Sequence, residues 1–457
     1  MTNNQNDTLL LNVKRLGING EGIAYYKKRA VFIPRALPKE KVLVKITKKH
    51  RNYWEAKLLK VQKASKERVQ PKCPIYEKCG GCQLQHLAYS AQCKYKEDII
   101  KQALAKFKPQ DYENYVFKPS IDACDPWFYR NKLQFQARMI KQQPALGLYE
   151  INSHHLIPIK QCDIQKPLTQ AIANTVQQLL SKYNASLYNE RKHTGWLKTL
   201  MVREAVATNE CQVVFITTTR DFPSKQLIIQ ELVHKHPEII SIMQNINKDK
   251  TSTIMGNKTV NIYGKDSIEE QLNDVIFDLS AQAFFQLNPA QTQKLYAAVK
   301  EAMHLNQNDI IIDAYCGVGT IGLSMAKNVK QILGMDIIKE GITNAKLNAK
   351  RLGVNNTHYE VGDAVKLIPQ WLTKYHPTGI VVDPPRTGLT AKLCQTLVKH
   401  PLPKMVYVSC NPSTLAQDLV ILSQKYNVEF IQSIDMFPQT ARVEVIVSLT
   451  AKDYQPK

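Results

Sequence analysis

The chain has 457 residues and a formal net charge of +22, and this length leaves room for about three domains. No apolar run approaches the length of a membrane span and the amino terminus is polar, which argues against a membrane protein and predicts a cytoplasmic one. Residues 1–120 hold 25 Lys and Arg against 10 Asp and Glu. Such a concentrated excess is typical of a surface that binds nucleic acid phosphates, rather than of a merely basic, soluble protein.

The first predicted unit is a small all-β module. Residues 8–62 contain alternating segments such as 41–47, and glycines and a proline interrupt them as turns between short strands would. Basic and aromatic residues interleave over 48–54. Cations can bind phosphates and aromatic faces can stack on bases, so the pattern predicts an RNA-binding barrel of the OB type.

Four cysteines form the next notable pattern. Cys73, Cys79 and Cys82 have the spacing C-x5-C-x2-C, and Cys162 is a fourth member. Ten cysteines in a chain with no recognisable signal peptide indicate a reducing compartment, where metal ligation is more plausible than disulfides. Zinc ribbons usually have two C-x2-C pairs and this chain has one, so the pattern favours a 4Fe–4S cluster over zinc.

The middle of the chain carries weaker signals. Residues 93–110 have the pattern of an amphipathic helix, and residues 125–265 contain strand-like runs that predict a mixed α/β unit. Arg130, Lys132 and Arg203 lie in this region. Two roles remain open for these three side chains, namely contacts with RNA and ordinary surface ion pairs.

A strand followed by a glycine loop begins the carboxyl-terminal part. The apolar run 310–312 leads into Asp313, and Gly317 and Gly319 follow. These glycines allow a sharp turn and a close approach to a ligand at the start of a helix. Gly322 stands where a third glycine of the dinucleotide motif would be, so the loop alone does not identify the cofactor.

Acidic residues at the ends of the following strands favour one cofactor class. Asp336 ends the strand 331–336, at the position expected for a group that binds a ribose diol, and Asp363 is placed to meet an adenine amino group. Asp383 then begins Asp-Pro-Pro-Arg386, which has no place in a dinucleotide oxidoreductase. The order predicts a doubly wound S-adenosylmethionine methyltransferase domain.

A thiol and a carboxylate complete the series of strand ends. Cys410 follows the apolar strand 406–408 within Ser-Cys-Asn-Pro, and Glu444 lies among β-branched residues. A buried core thiol is the simplest alternative for Cys410, since cysteine is among the most buried residue types. The flanking polar residues and the costly burial of Glu444 favour a functional pair instead.

These motifs together resemble the bacterial RNA (uracil-5-)-methyltransferases. The resemblance extends over most of the chain and is carried by Phe284-Phe-Gln-Leu-Asn288, Asp313-Ala-Tyr-Cys-Gly-Val-Gly319, Asp383-Pro-Pro-Arg386, Ser409-Cys-Asn-Pro412 and Asp435-Met-Phe-Pro-Gln-Thr-Ala-Arg-Val-Glu444. It implies that Cys410 is the nucleophile, that Glu444 is the base, and that the cofactor is held by Gln286, Tyr315, Asp336 and Asp383. Two positions depart from the family pattern, with Asp336 in place of the usual Glu and Arg442 in place of the usual His.

The implied chemistry suits these two residues. C5 of uracil is too weak a nucleophile to take a methyl group directly, but addition of a thiolate at C6 produces an enolate that can. A carboxylate must then remove the C5 proton. An unperturbed thiol titrates near pH ~8.5, so we expect a nearby positive charge, such as that of Arg386 or Arg442, to help form the thiolate.

The resemblance also implies a domain division and a substrate. It predicts a TRAM barrel at 1–66, a central iron–sulfur and RNA-binding domain at 67–92 and 125–265, and a catalytic domain at 93–124 and 266–457. The barrel and the cysteines resemble the branch that methylates 23S ribosomal RNA, and we expect the enzyme to be a monomer. Two alternatives remain, namely an enzyme of the transfer RNA T-loop and a non-catalytic RNA-binding or chaperone protein.

Overall fold

The computed structural model describes residues 8–151, 153–250, 253–273 and 275–454. Within this part of the chain the strands form a closed barrel, two seven-stranded sheets and a separate hairpin. Residues 1 and 457, which bound the first and last predicted domains, lie outside the described residues, and the domain boundaries stay predictions. None of the described helices combines the length and apolar character that a membrane crossing requires.

The amino-terminal barrel closes on itself in the order β1-β2-β3-β5-β4. Alternate side chains such as Val13, Val31 and Val44 point inward and are almost fully buried, while the lysines between them face outward. This alternation is what a two-residue strand period produces. Its strands are β1 (Thr8–Leu16), β2 (Gly22–Tyr26), β3 (Arg29–Ile33), β4 (Lys41–Lys49) and β5 (Tyr53–Lys63).

The central unit is a mixed sheet covered by two helices. Its strand order is β12-β11-β10-β9-β6-β7-β8, and only the β10–β11 pair is parallel. Ile172 and Val176 of the first helix pack with Leu133 and Phe135 of the sheet. The elements are β6 (Lys132–Ile140), β7 (Gln143–Tyr149), β8 (Leu156–Pro158), α2 (Pro167–Lys182), β9 (Leu197–Ala205), β10 (Glu210–Thr217), α3 (Lys225–Lys235), β11 (Ile239–Ile246) and β12 (Lys258–Gly264).

A hairpin follows the central unit in the chain, and a long helix precedes that unit. The hairpin consists of β13 (Ser267–Leu272) and β14 (Val275–Ser280). Helix α1 (Tyr89–Phe107) packs Tyr95 against Leu16 and Leu84, and packs Ile100 into the core of the carboxyl-terminal sheet. Its Lys96 forms a buried ion pair with Asp435 at 2.5 Å. The helix therefore joins the barrel, the segment that carries the cysteines, and the carboxyl-terminal domain.

The carboxyl-terminal domain is the predicted doubly wound sheet. Its order is β17-β16-β15-β18-β19-β21-β20, with five parallel strands and an antiparallel pair at one edge. Helices cover both faces, so neighbouring residues such as Ile311 and Ile312 belong to different cores. Its elements are α4 (Pro289–Met303), β15 (Ile310–Ala314), α5 (Thr320–Met325), β16 (Gln331–Asp336), α6 (Lys339–Arg351), β17 (Thr357–Val361), α7 (Ala364–Tyr375), β18 (Gly379–Val382), α8 (Ala391–Lys399), β19 (Lys404–Ser409), α9 (Pro412–Leu422), β20 (Tyr426–Ile434) and β21 (Glu444–Ala451).

Candidate active site

Strand register places Cys410 beside Glu444. Strands β19 and β21 are antiparallel, and Ser409 pairs with Val445 across them. The next residue along β19 is Cys410, and the preceding residue of β21 is Glu444, so the two side chains meet at the same end of the ladder. Cys410 is partly exposed, whereas the Glu444 side chain is 7% exposed.

The Asp-Pro-Pro-Arg loop borders the same position. Val382, the last residue of β18, pairs with Ala314 on one side and with Tyr407 on the other, which places Asp383 between the glycine loop and the Cys410 loop. The Asn411 side-chain nitrogen donates a hydrogen bond of 2.9 Å to the Arg386 carbonyl. The two loops are therefore fastened directly to each other.

Burial favours the protonated forms of the acidic groups at this site. Burial, the largest cause, together with Glu444 and Asp383 raises the pKa of the Cys410 thiol to about 11, and Arg386 opposes them. It also raises the pKa of Glu444 well above the usual range, again with Asp383 adding and Arg386 opposing. Burial raises the pKa of Asp383 to about 7. The expected help from Arg386 is present, but burial and two carboxylates outweigh it, so the thiol is not activated by the protein alone.

Arg442 is the second cation near the thiol. Its side chain is exposed, and burial of part of the group together with Arg386 lowers its pKa, whereas Cys410 raises it. Arg386 and Arg442 thus place two mutually repelling positive charges at the mouth of the site. Such a pair is suited to the phosphate groups on both sides of a bound nucleotide.

The predicted cofactor residues lie along the carboxyl edge of the parallel strands. Asp336 accepts hydrogen bonds from the backbone nitrogen of Gly317 at 3.0 Å and from that of Ile338 at 2.8 Å. Each carboxylate oxygen keeps a lone pair for a diol. Tyr315 adopts a positive φ of 65° at the end of β15, and Gln286 is half-buried in the loop before α4.

The glycine loop is supported by residues that sequence reasoning missed. Gly319 has a φ of +83°, and a Cβ there would lie 2.8 Å from the Tyr359 hydroxyl. Asp313, which is fully buried, accepts a hydrogen bond of 2.8 Å from the Gly322 backbone nitrogen, and burial raises its pKa to about 7. Tyr359 gave no signal in the sequence because its role depends on contact across two parallel strands.

Asp363 has a structural partner in addition to its expected role. Its carboxylate accepts a hydrogen bond of 2.9 Å from the Val365 backbone nitrogen and thereby caps helix α7. The cap fixes one oxygen at the loop that follows β17. The other oxygen is the one that a ligand amino group could reach.

The four predicted cluster cysteines line one cavity. Cys73, Cys79, Cys82 and Cys162 surround a space of about 150 Å³. Burial, with a smaller contribution from the neighbouring thiols, raises the pKa of Cys82 to about 12 and that of Cys162 to about 11. Over the described residues, however, no group of three or more His, Cys, Asp or Glu side chains is arranged as a metal site. The arrangement of the side chains therefore gives the predicted metal ligation no support.

A larger groove separates the barrel from the loop that precedes Glu444. It has a volume of about 880 Å³ and is bounded by Phe32 and Tyr53 of the barrel, by Gln83 next to Cys82, and by Arg442. The Tyr53 ring stacks on His50 at 4.3 Å and meets the edge of Phe32 at 5.3 Å. The groove thus runs from an aromatic barrel face to the mouth of the candidate active site.

RNA contact and surface ion pairing were the two roles predicted for Arg130, Lys132 and Arg203, and the structure places these residues differently. Arg203 is buried, and its guanidinium donates hydrogen bonds to the carbonyls of Ser280 and Ala283, so it is neither an RNA contact nor a surface ion pair. Arg130 lines the cysteine cavity. Burial, together with the charges of Arg203 and Arg130, lowers the pKa of Lys132 to about 7.

Comparison with known proteins identifies the family. The sequence profile described as tRNA (Uracil-5-)-methyltransferase matches residues 88–452, and the profile of the TRAM domain matches residues 4–59. The chain belongs to the uracil-5-methyltransferase family. It is therefore an S-adenosylmethionine-dependent RNA methyltransferase with an amino-terminal TRAM domain, as the sequence motifs predicted.

Individual relatives support the same assignment. This methyltransferase is 54% identical to an uncharacterised RNA methyltransferase of Enterococcus faecalis over 443 residues, covering 97% of both chains. It is 51% identical to one from Streptococcus agalactiae over 445 residues, covering 97% of this chain and 98% of the relative. The crystal structure of the Pyrococcus abyssi tRNA (uracil-54, C5)-methyltransferase in complex with S-adenosyl-L-homocysteine superimposes with a TM-score of 0.78, at 24% identity, over 97% of this chain and 100% of that one. The shared fold confirms the predicted fold class.

Proposed function

We propose that this methyltransferase adds a methyl group to C5 of uridine through a covalent adduct between Cys410 and C6. The observation that carries the proposal is the antiparallel register that sets Cys410 beside Glu444 at one end of β19 and β21. The Cys410 thiol gives its proton to water and its sulfur adds to C6. The C5 atom of the resulting enolate then takes the methyl group as the sulfonium–methyl bond of S-adenosylmethionine breaks, and S-adenosylhomocysteine leaves. The Glu444 carboxylate, in its ionised form, removes the C5 proton. Loss of that proton expels the Cys410 sulfur and restores the ring.

The protonation of the site indicates how the protein delays this chemistry. Burial and the neighbouring carboxyl groups raise the pKa values of Cys410 and Glu444 when only protein charges surround them. S-adenosylmethionine carries a positive sulfonium, and a positive charge among Cys410, Asp383 and Glu444 lowers the pKa of all three groups. Asp383 orients that donor in our proposal, together with Gln286, Tyr315 and Asp336, while Arg386 and Arg442 hold the RNA backbone.

RNA containing 5-fluorouridine tests the mechanism. Fluorine at C5 blocks proton removal, so we expect the protein and S-adenosylmethionine to trap a covalent complex that survives denaturing gels. Cys410→Ala should trap nothing, whereas Glu444→Gln should form adduct even with ordinary RNA and turn over about 10²–10⁴ times more slowly. Cys124→Ala is the matched control, since Cys124 is an exposed thiol away from the site. Methylation by Cys410→Ala would contradict the mechanism, and absence of any adduct would favour the non-catalytic RNA-binding alternative.

We propose 23S ribosomal RNA as the substrate. By resemblance, the barrel and the cysteine pattern mark the ribosomal branch, because the dedicated bacterial transfer RNA enzyme lacks both. One observation favours the second candidate, the transfer RNA T-loop. The Pyrococcus abyssi protein whose structure covers 97% of this chain acts on tRNA, so the overall architecture alone does not distinguish the two substrates.

Mapping 5-methyluridine in a deletion strain separates these candidates. We expect the modification to disappear from 23S ribosomal RNA and to persist in transfer RNA, with restoration by a plasmid-borne copy of the gene. A plasmid carrying Cys410→Ala is the control for catalysis. Loss confined to transfer RNA would overturn the ribosomal assignment while leaving the uracil-5 chemistry intact.

We also propose that the cysteine cavity holds a 4Fe–4S cluster. The proposal rests on the C-x5-C-x2-C spacing and on a fourth cysteine at the same space of about 150 Å³, and it requires the four thiols to move into a ligand arrangement that the described side chains do not have. In that case Cys73, Cys79, Cys82 and Cys162 would ligate iron, with zinc as the less favoured occupant. Protein purified without oxygen should contain about four irons and four sulfides per chain. Zinc without sulfide would reverse the choice. Protein that contains neither iron nor zinc would refute the metal site.

A further inference from the structure

The loop between β20 and β21, residues 435–443, delivers Glu444 to the site. Ile434 at its start pairs with Glu444 at its end. Inside the loop the Thr440 hydroxyl donates a hydrogen bond of 2.8 Å to the Phe437 carbonyl and accepts one of 3.2 Å from the Arg442 backbone nitrogen. These bonds connect the middle of the loop to its end. Contacts that fix the middle of the loop therefore also fix the positions of Arg442 and Glu444.

The segment after Cys82 holds the middle of this loop. The backbone nitrogens of Gln83 and Leu84 both donate to the Gln439 carbonyl, at 3.1 and 2.9 Å. The Gln83 side-chain oxygen accepts a hydrogen bond of 3.3 Å from the Ala441 backbone nitrogen, while its amide nitrogen donates to the Gly80 carbonyl at 2.9 Å. One side chain thus connects the turn of the C-x2-C motif to a residue three positions before Glu444.

Helix α1 holds the same loop from the other side. The Gln92 side-chain nitrogen donates a hydrogen bond of 3.0 Å to the Gln439 side-chain oxygen. The Gln439 backbone nitrogen donates one of 3.0 Å to the Gln92 side-chain oxygen. Gln439 itself has a φ of +67°, a conformation that a non-glycine residue adopts at a cost and keeps when its surroundings fix it. Lys96 adds a hydrogen bond of 3.1 Å to the Phe437 carbonyl.

We propose that Gln83 is a positioning residue for proton removal, through which the placement of the cysteine segment sets the geometry of Arg442 and Glu444. The inference rests on the proposed role of Glu444 as the base. Gln83 acts through Ala441 in this scheme and touches none of the reacting atoms. The cysteine segment then contributes to the reaction through hydrogen bonds of the protein chain itself.

Two substitutions of Gln83 test the inference. Gln83→Met keeps the size of the side chain but loses both hydrogen bonds, whereas Gln83→Glu keeps the acceptor for Ala441 and loses only the donor to Gly80. With RNA tritiated at C5 of the target uridine, we expect Gln83→Met to release tritium about tenfold more slowly and to accumulate denaturation-resistant adduct. Gln83→Glu should restore release to near the original rate. The rate of trapping with 5-fluorouridine RNA, which needs no base, should be unchanged in both variants.

Separate outcomes distinguish this inference from the proposed function. If the unmodified protein traps no 5-fluorouridine adduct, the proposed function fails. If it traps adduct but Gln83→Met releases tritium normally, only the positioning role fails. Equal loss of trapping, release and RNA affinity in Gln83→Met would also overturn it, because that result indicates a direct RNA contact in the groove. The thermal unfolding temperature and the affinity for S-adenosylmethionine are expected to stay unchanged.

Discussion

Asp383 shows how a single functional residue can reduce stability. Burial raises the pKa of its carboxyl to about 7 from an ordinary value of 3.8, so folding favours the protonated form. The unfolded chain ionises first, and the stability associated with the protonated form is lost as the pH rises between these two values. At higher pH the folded protein must hold an ionised, only partly exposed carboxylate near Glu444.

Asp383→Asn should therefore stabilise the protein while impairing it. We expect the free energy of unfolding to rise by about 2 kcal/mol at about pH 8, a figure reduced from the full shift because the side chain is partly exposed. The gain should shrink steadily below about pH 7, as denaturant titrations at several pH values would show. Calorimetry should find weaker S-adenosylmethionine binding. A variant destabilised at every pH would contradict the account.

Sequence reasoning named Cys410 and Glu444 for the proposed reaction but not their charge state. Cys410 and Glu444 could be recognised because polar or charged groups at the ends of apolar strands are costly and need a function. Their raised pKa values could not be predicted, since burial and the approach of Asp383 arise from three strands that are distant in sequence. The same holds for Arg203, whose acceptors Ser280 and Ala283 belong to another unit.

Element boundaries followed the sequence where local chemistry decides them. The helix predicted over 93–110 spans Tyr89–Phe107, and it ends early because Lys108 takes a left-handed φ of 52° and Pro109 follows. Helix α6 likewise ends at Arg351, two residues before Gly353, which has a φ of +63°. The contacts of Asp313 and Tyr359 with the glycine loop have no such local signal in the sequence.

Two glycines with similar backbone angles separate conformational strain from a steric clash. Gly319 and Gly353 have φ values of +83° and +63°, but only at Gly319 would a Cβ meet a neighbour, the Tyr359 hydroxyl at 2.8 Å. We expect Gly319→Ala to weaken S-adenosylmethionine binding at least tenfold in calorimetry. Gly353→Ala, which has open space for a Cβ, should cost about 1 kcal/mol of stability and leave the affinity intact. Equal affinities in the two variants would show that Tyr359 does not shape the loop.

At the scale of the whole molecule, three units meet at one site. The barrel supplies Tyr53, the cysteine segment supplies Gln83, and the carboxyl-terminal domain supplies Arg442, all on the groove of about 880 Å³. Helix α1 fixes these units relative to one another through the buried pair Lys96–Asp435. Arg442 belongs both to this groove and to the surroundings of Cys410, so we expect RNA in the groove to contact Tyr53 and Arg442.

The charges along this groove indicate which part of the RNA it receives. Glu21, Glu55 and Glu77 line it beside Arg35 and Arg442, a balance that suits bases better than a run of phosphates. A base that stacks on an aromatic ring contributes about 1–3 kcal/mol to binding.

Tyr53→Ala should accordingly weaken RNA binding about tenfold, with no change in the slope of log affinity against log salt, because stacking releases no counterions. The control is Lys48→Ala, on the exposed barrel surface next to the groove residue Thr47. Loss of that cation should lower the salt slope by about one. Filter binding at a series of salt concentrations measures both quantities. A reduced slope for Tyr53→Ala, or unchanged affinity, would mean that the groove does not receive a base at Tyr53.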